Sequence, residues 1–363
     1  MLYYTRPAEF SDSLLRWYES AGRHDLPWQL DRSPYRIWVS EIMLQQTQVK
    51  TVIPYFHRFM SRFPDVEQLA DAPLDEVMHL WTGLGYYARA RNLYKTAQII
   101  AEKYRGEFPD NIDELMGLPG IGRSTAGAIL AMAFHQSQPI ADGNVKRVLA
   151  RVHAVAETPT SSAFVKKIWK LAEQYTPEEN VAAYTQAIMD LGATVCLRNK
   201  PLCAQCPVAK LCQANLQNRV FDYPSKRKKL NRPTKSTIFA ILQSKQGEIL
   251  LEQRPPNGVW GGLWSFPEYS GANDKLDQWI TEHLGMTVTD IHYGEQLQHA
   301  FSHFDLKITP AYARVTGKCD RVGENLRYRW LLPSSNFRLG LAQPVKRLLN
   351  NLNTEQSQQE NRS

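Results

Sequence analysis

No stretch of this 363-residue chain is long and apolar enough to cross a bilayer. Its longest apolar runs, Gly127 to Phe134 and Ile238 to Leu242, fall far short of the ~18 residues that a spanning helix needs. The opening MLYYTRPAEFSDSL lacks a basic-then-apolar leader, so secretion is not expected. Cysteine is scarce. Five in the whole chain exclude a disulfide scaffold and fit a reducing, cytoplasmic compartment. Internal repeats are missing as well. Excess charge of one sign is confined to one place: residues 219–235 hold seven basic side chains against Asp222 alone, which leaves the rest of a net +7 chain nearly neutral. Net charge is therefore weak support for a nucleic-acid partner, because one solvated linker accounts for it. What is present is ordinary globular material, 43% apolar and 22% charged, enough for two domains.

Two kinds of pattern divide the chain. Up to about residue 195 the apolar spacing is helical. Pro7 to Ala21 carries Phe10, Leu14, Leu15 and Tyr18 on one face. Ser33-Pro34 and Pro73 open further helices, and 86–104, 125–134, 145–155, 164–175 and 181–191 read likewise. From Ser236 the segments become short, β-branched and aromatic (TIFAIL, EILLEQR, TVTDIHY, FDLKITPAYARV, YRWLL), with helices expected at 274–284 and 343–351. The expected organisation is multi-domain: an all-α domain over 1–217, a basic linker over 218–235, an α+β domain over 236–350 and a disordered tail over 351–363.

Three constellations carry chemistry. Cys196, Cys203, Cys206 and Cys212 lie within 17 residues in the spacing C-x6-C-x2-C-x5-C. Four thiols so close in a reduced protein point to metal, and thiolate suits both zinc and an iron–sulfur cluster. Cys319 stands apart as an ordinary thiol. Leu118-Pro119-Gly120-Ile121-Gly122 is a tight turn between two helical segments. Its free amides and the helix start behind it could hold a phosphate, or it could simply join two helices. Glu41 has Ile37, Trp38 and Leu44 as its helical neighbours. A carboxyl on such a stripe is costly to ionise, which raises its pKa toward that of a general acid, unless it sits solvated at a ragged helix edge. Asp142, about 20 residues past the hairpin, could cap a helix or act on substrate.

The order of hairpin, aspartate and cysteine cluster resembles the helix-hairpin-helix DNA glycosylases of the endonuclease III superfamily. The segments LPWQLDRSPYRIWVSEIMLQQTQV, LPGIGRSTAGAI and ADGNVKRVLARV look like its adenine-specific, MutY-type family. The resemblance covers nearly all of residues 8–350. It implies a helical catalytic domain with a [4Fe–4S] loop on the four cysteines, and removal of adenine mispaired with 8-oxoguanine or guanine in base excision repair. Glu41 matches the acid that protonates adenine N7, and Asp142 the carboxylate that stabilises the oxocarbenium-like sugar. The two environments should keep Glu41 protonated and Asp142, at a helix N-terminus, ionised. Gly120 and Gly122 of the hairpin, Lys146, Gln46 and Tyr86 match DNA-contacting positions. Trp28, Gln29, Leu44 and Gln186 match the lining of the adenine pocket. The backbone carbonyls of Met116, Leu118 and Ile121 match a monovalent-cation site at the hairpin. Bifunctional relatives carry a lysine where this chain has Ser124, which implies a glycosylase without efficient strand cleavage.

Trp260 to Pro267, WGGLWSFP, resembles the start of a Nudix domain. The following NDKLDQWITEHLG lacks the glutamate array that holds magnesium, so recognition fits better than pyrophosphate hydrolysis. Phe301, Ser302 and His303 match a lesion-sensing turn. A hydroxyl both donates and accepts, as reading the changed N7/C8 edge of 8-oxoguanine requires. The expected partner is double-stranded DNA with A:8-oxoguanine or A:G mispairs, met by a cytoplasmic, nucleoid-associated monomer with no membrane contact. An endonuclease III-like pyrimidine glycosylase/lyase and a noncatalytic DNA-binding protein are the alternatives. Ser124 argues against the first and Glu41 against the second.

Overall fold

The apolar run at Gly127, too short for a membrane, is the innermost helix of a helical unit. A computed structural model describes residues 6–225, 231–317, 327–333, 335 and 338–360. The helices run in order α1 (Pro7–Ala21), α2 (Pro34–Leu44), α3 (Val49–Arg62), α4 (Val66–Ala70), α5 (Leu74–Trp81), α6 (Ala88–Tyr104), α7 (Ile112–Met116), α8 (Arg123–Ala133), α9 (Gly143–Val152), α10 (Ser162–Tyr175), α11 (Val181–Asp190) and α12 (Gln213–Leu216). Every residue of α8 from Thr125 to Met132 is buried, so this helix is apolar all round and others wrap it. It packs against α2 and α11, and α1 packs against α11. The starts follow capping chemistry: Ser33, Asn111, Asp142 and Ser161 each accept a backbone N–H of the first turn, and Pro34 follows Ser33 at the first helical position. Among the described residues no helix is long and apolar enough to span a membrane.

The contacts divide the chain into two units, Met1–Asp71 with Asn92–Lys229 and Ala72–Arg91 with Leu230–Ser363. This differs from the expected continuous helical domain over 1–217, because residues 72–91 go with the later unit. The reason lies in side chains that periodicity does not reveal. Trp264 Nε1 donates to Asp75 Oδ1 at 3.2 Å. The Tyr87 hydroxyl donates to the Leu341 carbonyl at 3.2 Å. A Cβ on Gly340 would fall 2.5 Å from that of Met78.

That second unit holds a mixed sheet of β1 (Thr234–Gln243), β2 (Ile249–Gln253), β3 (Trp264–Ser265), β4 (Glu268–Tyr269), β5 (Thr287–Tyr293), β6 (Leu297–Ala300), β7 (Asp305–Thr316) and β8 (Tyr328–Leu331), with α13 (Leu276–Leu284) and α14 (Gln343–Glu360). The sheet order is β3-β2-β1-β7-β5. β4 also pairs with β1, β6 with β7 and β8 with β2. β1 and β7 pair in parallel from Thr234↔Asp305 to Gln243↔Arg314. Leu276, Ile280 and Leu284 of α13 pack on Ile238, Ala240, Leu242, Ala311 and Ala313. The tail expected to be disordered from residue 351 instead continues α14 to Glu360. The basic run Lys226–Lys229 and Cys319 lie outside the described residues.

The close packing of α8 gives a sharp test. Gly to Ala in a helix interior normally stabilises by about 1 kcal/mol. At Gly127 a Cβ would stand 2.4 Å from the Pro139 carbonyl oxygen. Gly127→Ala is therefore expected to destabilise the protein by about 1–3 kcal/mol through overpacking, read as a lowered urea midpoint. A midpoint unchanged or raised would show that the Pro139 segment yields freely.

Candidate active site

A cavity of about 830 Å³ opens in the helical unit, and its walls include Trp28, Glu41, Leu44, Gln46, Ser124, Asp142 and Gln186. Both carboxyls therefore face one space. α2 supplies Glu41 three residues before its end, and the cap of α9 supplies Asp142. Arg23 and Asn144, which sequence reasoning passed over, also line it.

Glu41 is half-buried on the cavity wall, flanked in its own helix by buried Ile37, Trp38 and Ile42. Burial pushes its pKa up to about 8, and the negative charge of Asp142 adds to the rise. Asp142 departs from expectation. It is the N-cap of α9, and its Oδ1 accepts the Val145 N–H at 2.7 Å, yet its pKa is raised too. Burial outweighs the lowering by the Val145 and Asn144 amides and by Arg147 and Lys146. The helix terminus softens the cost of the anion without cancelling it. The two acids differ in compensation, since four groups favour the anion of Asp142 and Glu41 has no such opposing cause.

The supporting contacts are specific. Ser124 Oγ accepts the Ala141 N–H at 3.0 Å, which holds the chain just before Asp142. Trp28 is buried and meets Phe56 edge-to-face at 5.4 Å. Gln186 Nε2 donates to Asp190 Oδ1 at 2.8 Å. Gln29 is not part of the cavity lining, and its amide nitrogen and oxygen are buried elsewhere. Lys146 is half-buried in the first turn of α9 and is not in the lining either.

The hairpin joins α7 to α8. Gly120 has φ +80°, and a Cβ there would meet Asn92 Cβ at 2.9 Å, so the position requires glycine on two counts. Gly122 precedes α8 exposed and without a side-chain cap, which leaves the first amides of that helix available. Met116 is exposed at the end of α7, while Leu118 and Ile121 are buried in the turn. Two non-glycine residues singled out from sequence have left-handed backbone, Gln46 at φ 59° and Tyr86 at φ 48°, and both are exposed. The Tyr86 turn rests on Arg89, a residue missed from sequence, whose buried guanidinium donates to the Leu84 and Gly85 carbonyls.

The four cysteines border one small cavity with Arg151. Among the described residues no three His, Cys, Asp or Glu side chains are grouped to hold a metal ion. Arg151 is buried; its Nη1 donates to Cys196 Sγ at 3.3 Å and to the Leu197 carbonyl at 2.7 Å. Burial pushes Cys206 up to about 12 and Cys212 up to about 11. In the second unit Phe301, Ser302 and His303 form the turn between β6 and β7. The Phe301 N–H donates to the Phe304 carbonyl, and the two rings stack 4.6 Å apart. Ser302 and His303 are exposed, with Ser302 Oγ 3.2 Å from His303 Nδ1. Glu268 is paired with Arg254.

Residues 39–174 match the family model described as the HhH-GPD superfamily base excision DNA repair protein, and residues 238–351 match the NUDIX domain. The chain is 40% identical over 342 residues to the adenine DNA glycosylase of Buchnera aphidicola from Acyrthosiphon pisum, covering 94% of this chain and 97% of that one. It is 37% identical over 358 residues to the rat adenine DNA glycosylase, covering 82% and 69%. Among solved structures, a non-covalent endonuclease III–DNA complex aligns with TM-score 0.51 at 25% identity over 60% of this chain and 99% of its own. A thermostable thymine-DNA glycosylase aligns with TM-score 0.52 at 26% identity over 58% and 97%.

The raised pKa of Glu41 has a stability consequence with a fixed sign. The unfolded chain releases this proton near 4.5 and the folded one near 8, so folding loses stability as pH rises between those values. Glu41→Gln is expected to match the parent's unfolding free energy at pH 5 and to exceed it at pH 9 by a few kcal/mol. Parallel pH–stability curves for the two proteins would refute the burial argument.

Proposed function

The chain belongs to the HhH-GPD superfamily and, within it, to the adenine DNA glycosylases, and we propose that it removes adenine paired with 8-oxoguanine or guanine by a double displacement on Glu41 and Asp142. The observation that carries this reading is the shared cavity, in which one carboxyl holds its proton to about pH 8. The target must leave the stack to reach such a site. Glu41 gives its proton to N7 as the C1′–N9 bond breaks, and the bonding pair leaves with adenine. The Asp142 carboxylate stabilises the electron-poor C1′ and closes on it as a glycosyl ester. Water then attacks C1′, Glu41 takes the water's proton, and Asp142 departs as carboxylate, the logic of a retaining glycosidase. Trp28, Leu44 and Gln186 border the extruded base. Gln29 serves only indirectly in this reading, since its amide does not line the cavity.

Ser124 offers no amine for a Schiff base, and its hydroxyl is engaged by Ala141. Strand cleavage is therefore inefficient, and Lys146 is the amine for any slow trapping. The amides behind Gly120 and Gly122 bind phosphate, and Gln46 and Tyr86 enter the duplex. The carbonyls of Met116, Leu118 and Ile121 hold a monovalent cation at the hairpin. Phe301, Ser302 and His303 read the orphan base. The protein works as a monomer on duplex DNA.

The four cysteines suit a multi-iron [4Fe–4S] cluster rather than the single ion for which no grouping is present among the described residues, because all four border one cavity and a guanidinium hydrogen-bonds the Cys196 sulfur. Thiols whose burial disfavours the anion gain from a cationic core. Bound there, the cluster supplies a structural tie for the loop 196–212.

The test is single-turnover base release from duplexes with adenine opposite 8-oxoguanine, guanine or thymine. Adenine should leave the first two and stay with thymine, and strands should break only after hot alkali. The rate should fall as pH rises through about 8, where Glu41 loses its proton, and Glu41→Gln should lower it at least about a hundred-fold, the usual worth of general acid catalysis. A Glu41→Gln protein of normal rate would end this mechanism. Ser302→Ala with His303→Ala is expected to reduce the 8-oxoguanine-to-guanine preference while basal excision persists. A preference equal to the parent's would remove those residues from lesion reading.

A further inference from the structure

Asp190 is fully buried at the end of α11, yet it does not line the cavity and has no part in the chemistry above. Its carboxylate is saturated by two residues. Oδ2 accepts the Arg23 backbone N–H at 2.7 Å. Oδ1 accepts Arg23 Nε at 3.0 Å, Arg23 Nη2 at 2.5 Å and Gln186 Nε2 at 2.8 Å. A five-residue π-turn, Leu191–Val195, follows directly, and such turns gather at functional sites.

A side-chain amide has two faces, one donating and one accepting, and its neighbours decide which points where. A carboxylate only accepts, so Gln186 must give Asp190 its NH2. Its carbonyl oxygen then remains for the cavity that Gln186 lines. The 6-amino group of adenine is a donor and the 6-oxo group of guanine or hypoxanthine an acceptor. We propose that Asp190, clamped by Arg23, is a specificity-positioning residue: it locks Gln186 as an acceptor, so that the pocket accepts 6-aminopurines and refuses 6-oxopurines. This deepens the adenine-glycosylase reading and rests on Gln186 meeting the base.

Asp190→Asn keeps the shape and removes the constraint. Asparagine has no charge to pair with Arg23 and leaves one acceptor oxygen for the four donors that Asp190 satisfies, so Gln186 is released to turn over and offer its NH2 to the cavity. The experiment measures single-turnover release of adenine and of hypoxanthine from otherwise identical duplexes, with binding of an abasic duplex and thermal unfolding as controls. The adenine-to-hypoxanthine rate ratio is expected to fall about ten-fold in Asp190→Asn, the worth of one hydrogen bond. Abasic-duplex affinity should stay within about two-fold, since phosphate contacts rather than the base pocket set it. Gln186→Leu, which leaves Asp190 and Arg23 untouched, should lose the same discrimination and covers the case in which Asp190→Asn does not fold. A folded Asp190→Asn protein that slows both substrates equally, or keeps the parent ratio, overturns the proposal. An unchanged ratio in Gln186→Leu overturns it as well. Failure of the parent protein to release adenine at all is a different result, and it would strike the adenine reading itself.

Discussion

Taking a carboxyl out of water costs more for its anion than for its acid, and this inequality orders the site. Both acids feel it, since burial is the largest cause of the raised pKa at Glu41 and at Asp142. What separates them is compensation. Asp142 has two backbone amides and the charges of Arg147 and Lys146 against burial, whereas Glu41 has only the further penalty of a neighbouring negative charge. The balance therefore favours the proton on Glu41 over Asp142, the arrangement that the proposed protonation of a leaving purine requires. Two carboxyls in one cavity titrate as a unit, so the division of labour belongs to the pair rather than to either residue.

The helix that presents Asp142 is held along one side by two arginines a turn apart. Arg147 Nε donates to the Cys196 carbonyl at 2.7 Å, and its Nη2 to the Gly192 carbonyl at 2.6 Å. One turn further, Arg151 spans the Leu197 and Tyr223 carbonyls. Buried guanidinium is tolerated only when its fork of donors is satisfied, and here carbonyls of the cysteine loop, together with those of Gly192 and Tyr223, satisfy it. The cysteine loop and α9 thus set each other's position. A loop rich in irregular backbone gains a rigid partner, and the N-cap residue Asp142 gains a fixed register.

Much of this was legible in the sequence, for identifiable reasons. Glu41 on an apolar stripe announced a raised pKa, and the glycines at 120 and 122 announced a turn that Gly120 now realises at φ +80°. The grouping of 72–91 with the later unit was not legible, because periodicity reports that Met78 and Trp81 are buried but not against what. α3 escaped notice because Pro54 sits inside it and proline reads as a breaker. The short α7 has too few residues to show a period. Arg23 and Asp190 lie 167 positions apart, and no local spacing brings such a pair together. The upward shift at Asp142 was not legible, because capping is visible in sequence while burial of the cap is not.

The strained positions follow the same logic as the buried acids. A left-handed backbone costs a residue with a Cβ roughly 1–2 kcal/mol, and glycine at Gln46 or Tyr86 would relieve it. Both positions nevertheless carry long side chains and expose them, Gln46 on the cavity wall and Tyr86 in a turn where Gly83 and Gly85 are also left-handed. Strain of this kind persists only where the surroundings impose it. At Tyr86 the imposition is visible, since Arg89 ties the Leu84 and Gly85 carbonyls from beneath. A duplex must be opened against its own stacking before a base can leave it. In the proposed reading, a side chain carried on a turn that cannot relax loses less conformational entropy on meeting the duplex than the same tyrosine or glutamine would on a slack loop.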